Sequence, residues 1–259
     1  MQSKKAPSGA FLLYGVCVFF WWFCAIAHAE CDVQPRKMKG AAWRSAVVTR
    51  VLDGDTLELE NGDRVRFASI NAPETAKFNK AGDPLGNEAW HRLEALAGAG
   101  STVFLRRDRI AQDHYGRFLL HPFDADGHNL SALLLGEGLG FHVAIPPNLW
   151  SVDCYHEVEA RAINAGAGVW KLAAYTAVDA EALPQLHGGY SHVKGRVEKI
   201  SLMGRVAWVD MVGNVAIKVA KNDLATVNGR VWQRLVQAAQ QGKLADLPML
   251  EVHGWMSDR

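Results

Sequence analysis

Val51–Glu74, VLDGDTLELENGDRVRFASINAPE, is the stretch from which the fold can be read. Asp53-Gly54-Asp55 is a turn signal between two apolar runs, Val47 to Leu52 before it and Thr56 to Leu59 after it. Asn61-Gly62-Asp63 is a second tight turn of the kind that closes a hairpin. Arg64-Val65-Arg66-Phe67 alternates at the strand period, which puts Val65 and Phe67 on one face and both arginines on the other. Asn71-Ala72-Pro73-Glu74 ends this run, because Pro73 has no N–H to donate to a ladder. Asp55, Arg66, Asn71 and Glu74 are thereby expected at one end of a small sheet.

Together these four residues hold what phosphate-ester hydrolysis needs: oxygen ligands for a hard cation, a guanidinium for phosphate and a carboxylate to move a proton. Turns are also rich in Asp, Asn and Gly for purely conformational reasons, and an arginine on an outward strand face is ordinarily solvated. A DGDT motif alone therefore says little.

The motif is not alone. Asp53-Gly54-Asp55-Thr56, Arg66, Asn71-Ala72-Pro73-Glu74-Thr75 and Asp113-His114-Tyr115-Gly116-Arg117 follow one another in an order that resembles the staphylococcal nuclease (thermonuclease) family. Gly86-Asn87-Glu88-Ala89, Glu137-Gly138-Leu139-Gly140 and Gly168-Val169-Trp170 extend the likeness over about half the chain. The resemblance implies a β-rich α+β domain, an OB-type five-stranded barrel with three helices. It also implies a Ca2+ site beside two arginines. Asp55 matches a metal-binding aspartate, Ala72 a position that ligates through its backbone carbonyl, and Asn71 the remaining ligand. Arg66 and Arg117 match the arginines that grip the scissile phosphate, and Glu74 the carboxylate that orders the attacking water as general base. Tyr115 is assigned with the two arginines to substrate binding, in the turn that aims Arg117. Asp53 would tune the local field. By the same resemblance the products would carry 3′-phosphates.

Two departures bear on that transfer. Asn71 stands where better-known members have an aspartate; its carboxamide oxygen can ligate Ca2+, with one negative charge fewer. Val143 and Ile145 stand where aromatic residues pack on the nucleotide; Phe141, His142 or Trp150 are the neighbouring candidates, and Trp150 is read as core packing.

The chain has 259 residues, 49% hydrophobic and 21% charged, a globular composition with room for two modest domains. Lys4-Lys5, an apolar run from Ala10 to Ala27 and Ala27-His28-Ala29 read as a signal peptide over residues 1–29, with an uncleaved membrane anchor as the alternative. The expected location is periplasmic or secreted, with no stable membrane partner after cleavage. Cys17 and Cys24 would leave with the signal, and Cys31 and Cys154 would then be free to pair in an oxidising compartment.

After an N-terminal segment, 30–43, the nuclease-like domain is expected over 44–171. Its strands are Trp43 to Leu59, Arg64 to Ile70, Thr102 to Arg107 and Phe118 to Phe123; its helices are Gly86 to Ala97, a short one capped by Asn129 and ended at Gly136, and Tyr155 to Ala165. Asp124 to Gly127 reads as a hairpin turn, and Arg106-Arg107-Asp108-Arg109 as a solvated strand end. Residues 172–186 read as a linker. Over 187–259, strands at Val193 to Ile200, Arg205 to Val212, Val215 to Ala220 and Leu250 to Trp255, with a helix at Asn228 to Gln241, suggest a second small OB-like barrel.

Net charge is +1 for the full chain and −1 once Lys4 and Lys5 are gone. Residues 44–171 hold 13 Lys plus Arg against 17 Asp plus Glu, so a polyanion would be attracted only locally. Residues 184–259 hold 10 against 6, a basic module able to hold single-stranded nucleic acid or to serve only in packing. No zinc spacing, phosphate-cradling glycine loop or Ser-His-Asp pattern is present. The expectation is an exported Ca2+-dependent nuclease acting on DNA or RNA. The alternatives are a nucleic-acid-binding OB-fold protein with weak or no turnover and a structural envelope component.

Overall fold

A computed structural model describes residues 31–77, 81–182, 189–213, 215–220 and 229–256. The proposed signal segment, with Cys17 and Cys24, lies outside them. Among the described residues no helix is long and apolar enough to cross a membrane.

The first half is a closed barrel of β1 (Trp43–Asp53), β2 (Thr56–Leu59), β3 (Arg64–Phe67), β5 (Thr102–Gln112) and β6 (Phe118–Phe123), in the order β1-β2-β3-β6-β5. The quoted stretch forms the expected meander: Asp53 pairs with Thr56 across the first turn and Glu58 with Arg64 across the second. Val65 and Phe67 are buried as their alternation requires. β3 pairs with β6 in parallel, and β5 with β1 in antiparallel fashion, which closes the barrel and removes its edges. A short pair, β4 (Ile70–Asn71) with β7 (Phe141–His142), fastens the chain after β3.

Three helices cover the barrel: α1 (Gly86–Ala97), α2 (Leu130–Gly136) and α3 (Val152–Ala165). Asn129 caps α2, its side chain accepting from Ala132 N at 3.1 Å. The expected turn at Asp124–Gly127 closes on an antiparallel bridge between Phe123 and Asn129 and then runs straight into this helix, with Asp124 Oδ1 accepting from Asp126 N and His128 N. α3 begins three residues earlier than the apolar spacing indicates and stops at Gly166 in the left-handed conformation. One core joins the elements through Leu57, Val65, Phe67, Ile70, Leu93, Leu105, Leu120 and Leu134. Cys31 and Cys154 form a disulfide across a Cα–Cα distance of 5.7 Å, tying the start of the described chain to α3.

The second half has β8 (Val178–Asp179), β9 (Gly189–Gly195), β10 (Val197–Met203), β11 (Val206–Met211), β12 (Ala216–Ala220), α4 (Gly229–Gln240) and β13 (Leu250–Met256). β8 lies inside the stretch read as a linker and pairs in parallel with β9. The single strand expected at Val193 to Ile200 is two, divided at Arg196. Among the described residues the strands form two three-stranded sheets, β10-β11-β12 and β13-β9-β8, and not the closed second barrel expected. Their cores share Ile217 and Leu250.

Candidate active site

The turn between β1 and β2 sets Asp55 with its carboxylate buried and already engaged. Its Oδ1 accepts from Thr56 Oγ1 at 2.9 Å and its Oδ2 from Ala72 N at 2.8 Å. α1 makes this possible by pressing on both turns. A Cβ at Gly54 would lie 2.7 Å from Ala89 Cβ and 2.8 Å from Ala72 Cβ, and one at Gly86 would lie 2.2 Å from Glu74 O. Glycine is required at both places by the closeness of approach. Gly86-Asn87-Glu88-Ala89 therefore acts at a distance in sequence: it clamps the Asp53–Asp55 turn against the Asn71–Glu74 turn.

Arg66 comes from β3 and is not solvated, contrary to what an outward strand face alone suggests. Its Nη2 lies 3.0 Å from Asp55 Oδ2 and 3.0 Å from Asn71 Oδ1. Its Nη1 donates to Phe67 O and Ile70 O, at 2.6 and 2.5 Å. Four acceptors fix the plane of this guanidinium. Asp55, Arg66, Asn71 and Ala72 are thus brought together.

Glu74 is half-exposed and faces a partner that the sequence motifs do not single out. Lys77 Nζ contacts Glu74 Oε2 at 2.9 Å and also Asp53 Oδ2. The i,i+3 spacing of Glu74 and Lys77 is the signal that points to it. Desolvation, only partly offset by Lys77, holds the Glu74 carboxyl above the usual range. Burial also works to raise Asp53, but hydrogen bonds from Lys77 and its neighbours outweigh it and hold Asp53 low. A charged Asp53 beside a more basic Glu74 splits two nearby carboxylates into distinct roles.

Arg117 joins by register, not by contact. β3 and β6 pair Arg66 with Leu119, and Arg117 stands two residues before Leu119, immediately ahead of β6. Its Nε donates to Asp113 Oδ2 at 2.8 Å, and among the described residues its two terminal nitrogens have no partner. Asp113 also accepts from Tyr115 N and Arg117 N, which builds the turn of the Asp113–Arg117 motif. Tyr115 is 73% exposed, with the Arg117 guanidinium carbon 5.4 Å from its ring centre.

The positions lacking aromatics split. Val143 is buried and Ile145 exposed. Phe141 packs on Trp170 and Tyr175, and Trp150 against His121, Phe123 and Tyr155, so both are packing residues. The strand end read as solvated is not so at Asp108. Its Oδ2 meets His121 Nε2 at 3.2 Å and accepts from Trp150 N at 2.9 Å. Barrel closure brings His121 and the 146–150 loop over it.

Beneath the site, Ser69 and His142 continue a buried polar layer. His142 Nδ1 lies 3.0 Å from Ser69 O, and His142 N donates to Glu159 Oε1 at 2.7 Å. Burial raises Glu159 to about 7 and, with nearby histidines, lowers His253 to about 4. Glu159 Oε2 and His253 Nε2 face each other at 3.8 Å. Desolvation favours the neutral acid and the neutral ring over an ion pair there. The one cluster of three metal-type side chains among the described residues, Asp124, Asp126 and His128, is the turn before α2.

Residues 64–172 match the family described as staphylococcal nuclease homologue. They form a staphylococcal nuclease-like domain, and the barrel extends it upstream to include Asp53 and Asp55. The chain is 33% identical over 132 residues to the SPbeta prophage-derived endonuclease YokF of Bacillus subtilis, covering 49% of this chain and 44% of that protein. It is 31% identical over 137 residues to endonuclease YncB of the same organism, covering 51% and 64%. It is 34% identical over 107 residues to the thermonuclease of Staphylococcus intermedius, covering 40% and 62%. The chain thus spans less than two thirds of each of these relatives.

Proposed function

We propose that this chain is an exported, Ca2+-dependent nuclease that hydrolyses phosphodiester bonds of DNA or RNA. The observation that carries the reading is the meeting of Asp55 Oδ2 and Asn71 Oδ1 at one nitrogen of Arg66, each at 3.0 Å. It gathers two oxygen donors and a fixed guanidinium at the barrel end. The endonuclease relatives point the same way.

The donors suit a hard cation: a carboxylate at Asp55, a carboxamide oxygen at Asn71 and the Ala72 carbonyl, all oxygen. A Ca2+ held there would supply positive charge against the phosphate oxygens. Arg66, braced on four acceptors, would hold the phosphate in one orientation. The free fork of Arg117 would take a phosphate oxygen pair in bidentate fashion. Glu74, more basic than an ordinary carboxylate, would accept the proton of the attacking water once released from Lys77. Export is supported by the Cys31–Cys154 disulfide, a bond that persists in oxidising compartments. The C-terminal module would be a second OB-like unit, a reading supported by β9 and β10 following one another across Arg196 into two different sheets.

Incubation of the pure protein with single-stranded DNA in millimolar Ca2+ tests the reading. Cleavage should disappear in Glu74→Gln and Arg117→Ala; activity untouched by both would overturn it. A second reading, binding without turnover, is favoured by Asn71 standing in place of a carboxylate. It requires binding that persists in chelator and no cleavage at any Ca2+ concentration.

A further inference from the structure

A second cationic surface lies outside this site. The outer part of β5, Arg106-Arg107-Asp108-Arg109, faces the 146–150 loop across a cleft of about 620 Å3, lined by Arg106, Asp108, Arg109, Pro146, Pro147 and Trp150. The Arg106 guanidinium carbon sits 4.5 Å from the Trp150 ring centre, a cation on an aromatic face. Its hydrogen bond runs to Arg107 O at 3.0 Å, which leaves most of its donors uncommitted.

The ion pairing around it is uneven. Arg44, Arg50, Arg64, Arg66, Arg92 and Arg117 each have a carboxylate within ion-pair distance. Among the described residues Arg106, Arg107 and Arg109 have none. Asp108 acts on Arg106 only at a distance, because its Oδ2 is taken by His121 and Trp150 N and its Oδ1 accepts from Arg109 N. On a domain with more acidic than basic residues, the two arginines that line the cleft, Arg106 and Arg109, have no carboxylate within ion-pair distance among the described residues.

The cleft also has a direction. Gln112 pairs with Phe118, the neighbour of Arg117, and Arg109 lies three residues further back along β5. That is about 10 Å of strand at the usual rise per residue. We propose that the cleft is an exosite for the backbone phosphates of single-stranded nucleic acid, holding the part of the strand that flanks the bond gripped at Arg66 and Arg117. A groove that tracks a single strand needs cationic side chains with donors to spare, and here Trp150, itself packed on His121, Phe123 and Tyr155, holds the Arg106 guanidinium in place for a backbone phosphate. This inference rests on the nuclease reading for its substrate, not for its geometry.

The test uses the full chain, oligothymidylate labelled for anisotropy, and a dinucleotide with one phosphodiester. Binding is measured in chelator over a range of salt, cleavage in Ca2+. Removing one arginine that neutralises a phosphate should reduce the salt slope of the binding constant by about 0.7, so Arg106→Ala/Arg109→Ala should reduce it by about 1.4 and weaken binding roughly twentyfold at 0.1 M salt. Arg109→Glu leaves the Arg106–Trp150 contact in place and should weaken oligonucleotide binding in the same direction. Arg161→Ala, a charge removal on exposed α3, should change neither quantity. Dinucleotide cleavage should be the same in all four proteins. Oligonucleotide binding and slope unchanged in both cleft variants would overturn the exosite. If the parent cleaves neither substrate, the nuclease reading fails while the binding comparison still decides the exosite.

Discussion

Arg66 Nη2 and Asp55 Oδ2 meet at 3.0 Å with side chains only 12% and 9% exposed, so one residue assigned to phosphate and one assigned to metal hold each other in place. Neither can be altered without disturbing the other. Arg66→Lys keeps the charge but cannot reach Asp55, Asn71, Phe67 O and Ile70 O together. It should lower kcat on single-stranded DNA by about two to three orders of magnitude, the scale of losing one preorganised donor. Initial rates at saturating Ca2+ measure this, and a drop under threefold would contradict it.

Asn71→Asp should tighten Ca2+. The aspartate oxygen can still accept from Arg66 Nη2, so the bracing survives while the ligand set gains a negative charge. The expected gain is on the order of tenfold in Kd, about 1.4 kcal/mol. Calorimetric titration reads it directly; unchanged affinity would remove Asn71 from the ligand set.

Glu159 makes stability depend on pH. Its carboxyl is raised to about 7 by burial, above its unfolded value. The stabilising contribution of the neutral acid is fully present below the unfolded value near 4.5, and is lost as pH rises through 7. Glu159→Gln keeps an acceptor for His142 N and removes the ionisation. The variant should be more stable than the parent at pH 8 by on the order of 2–3 kcal/mol, and so melt at a higher temperature, with the gap closing by about pH 4.5. Melting curves at the two pH values check this, and an equal gap at both would exclude the ionisation.

The disulfide should support the first half of the chain. Cys31 and Cys154 are 123 residues apart, so the bond removes a large closed-loop entropy from the unfolded chain. Cys31→Ser/Cys154→Ser should cost about 4–5 kcal/mol by that chain-entropy reckoning. Denaturant melts with and without reductant are the measurement: the parent should fall to the variant's midpoint on reduction, while the variant should not move.

Much of this is legible in the residues. The turns at Asp53–Asp55 and Asn61–Asp63, the alternation in Arg64–Phe67, the bounds of α1 and the Asn129 cap all depend on neighbours within a few positions. Ordered motifs single out Asp55, Arg66, Glu74 and Arg117. The C-terminal half is less legible. Its strands lie close to where the pattern puts them, but alternation does not specify which strands pair, and the expected barrel is two sheets.

What the sequence determined by itself was local: where strands, turns and caps form, and which chemical groups are present to act. Whether Arg66 is solvated or clamped, whether Glu74 stands alone or with Lys77, and whether Asp108 is exposed or bound under Trp150 were decided by barrel closure. These outcomes depend on desolvation and on partners such as Arg66 for Asp55 and His121 for Asp108, groups far apart along the chain that only packing brings within hydrogen-bond reach.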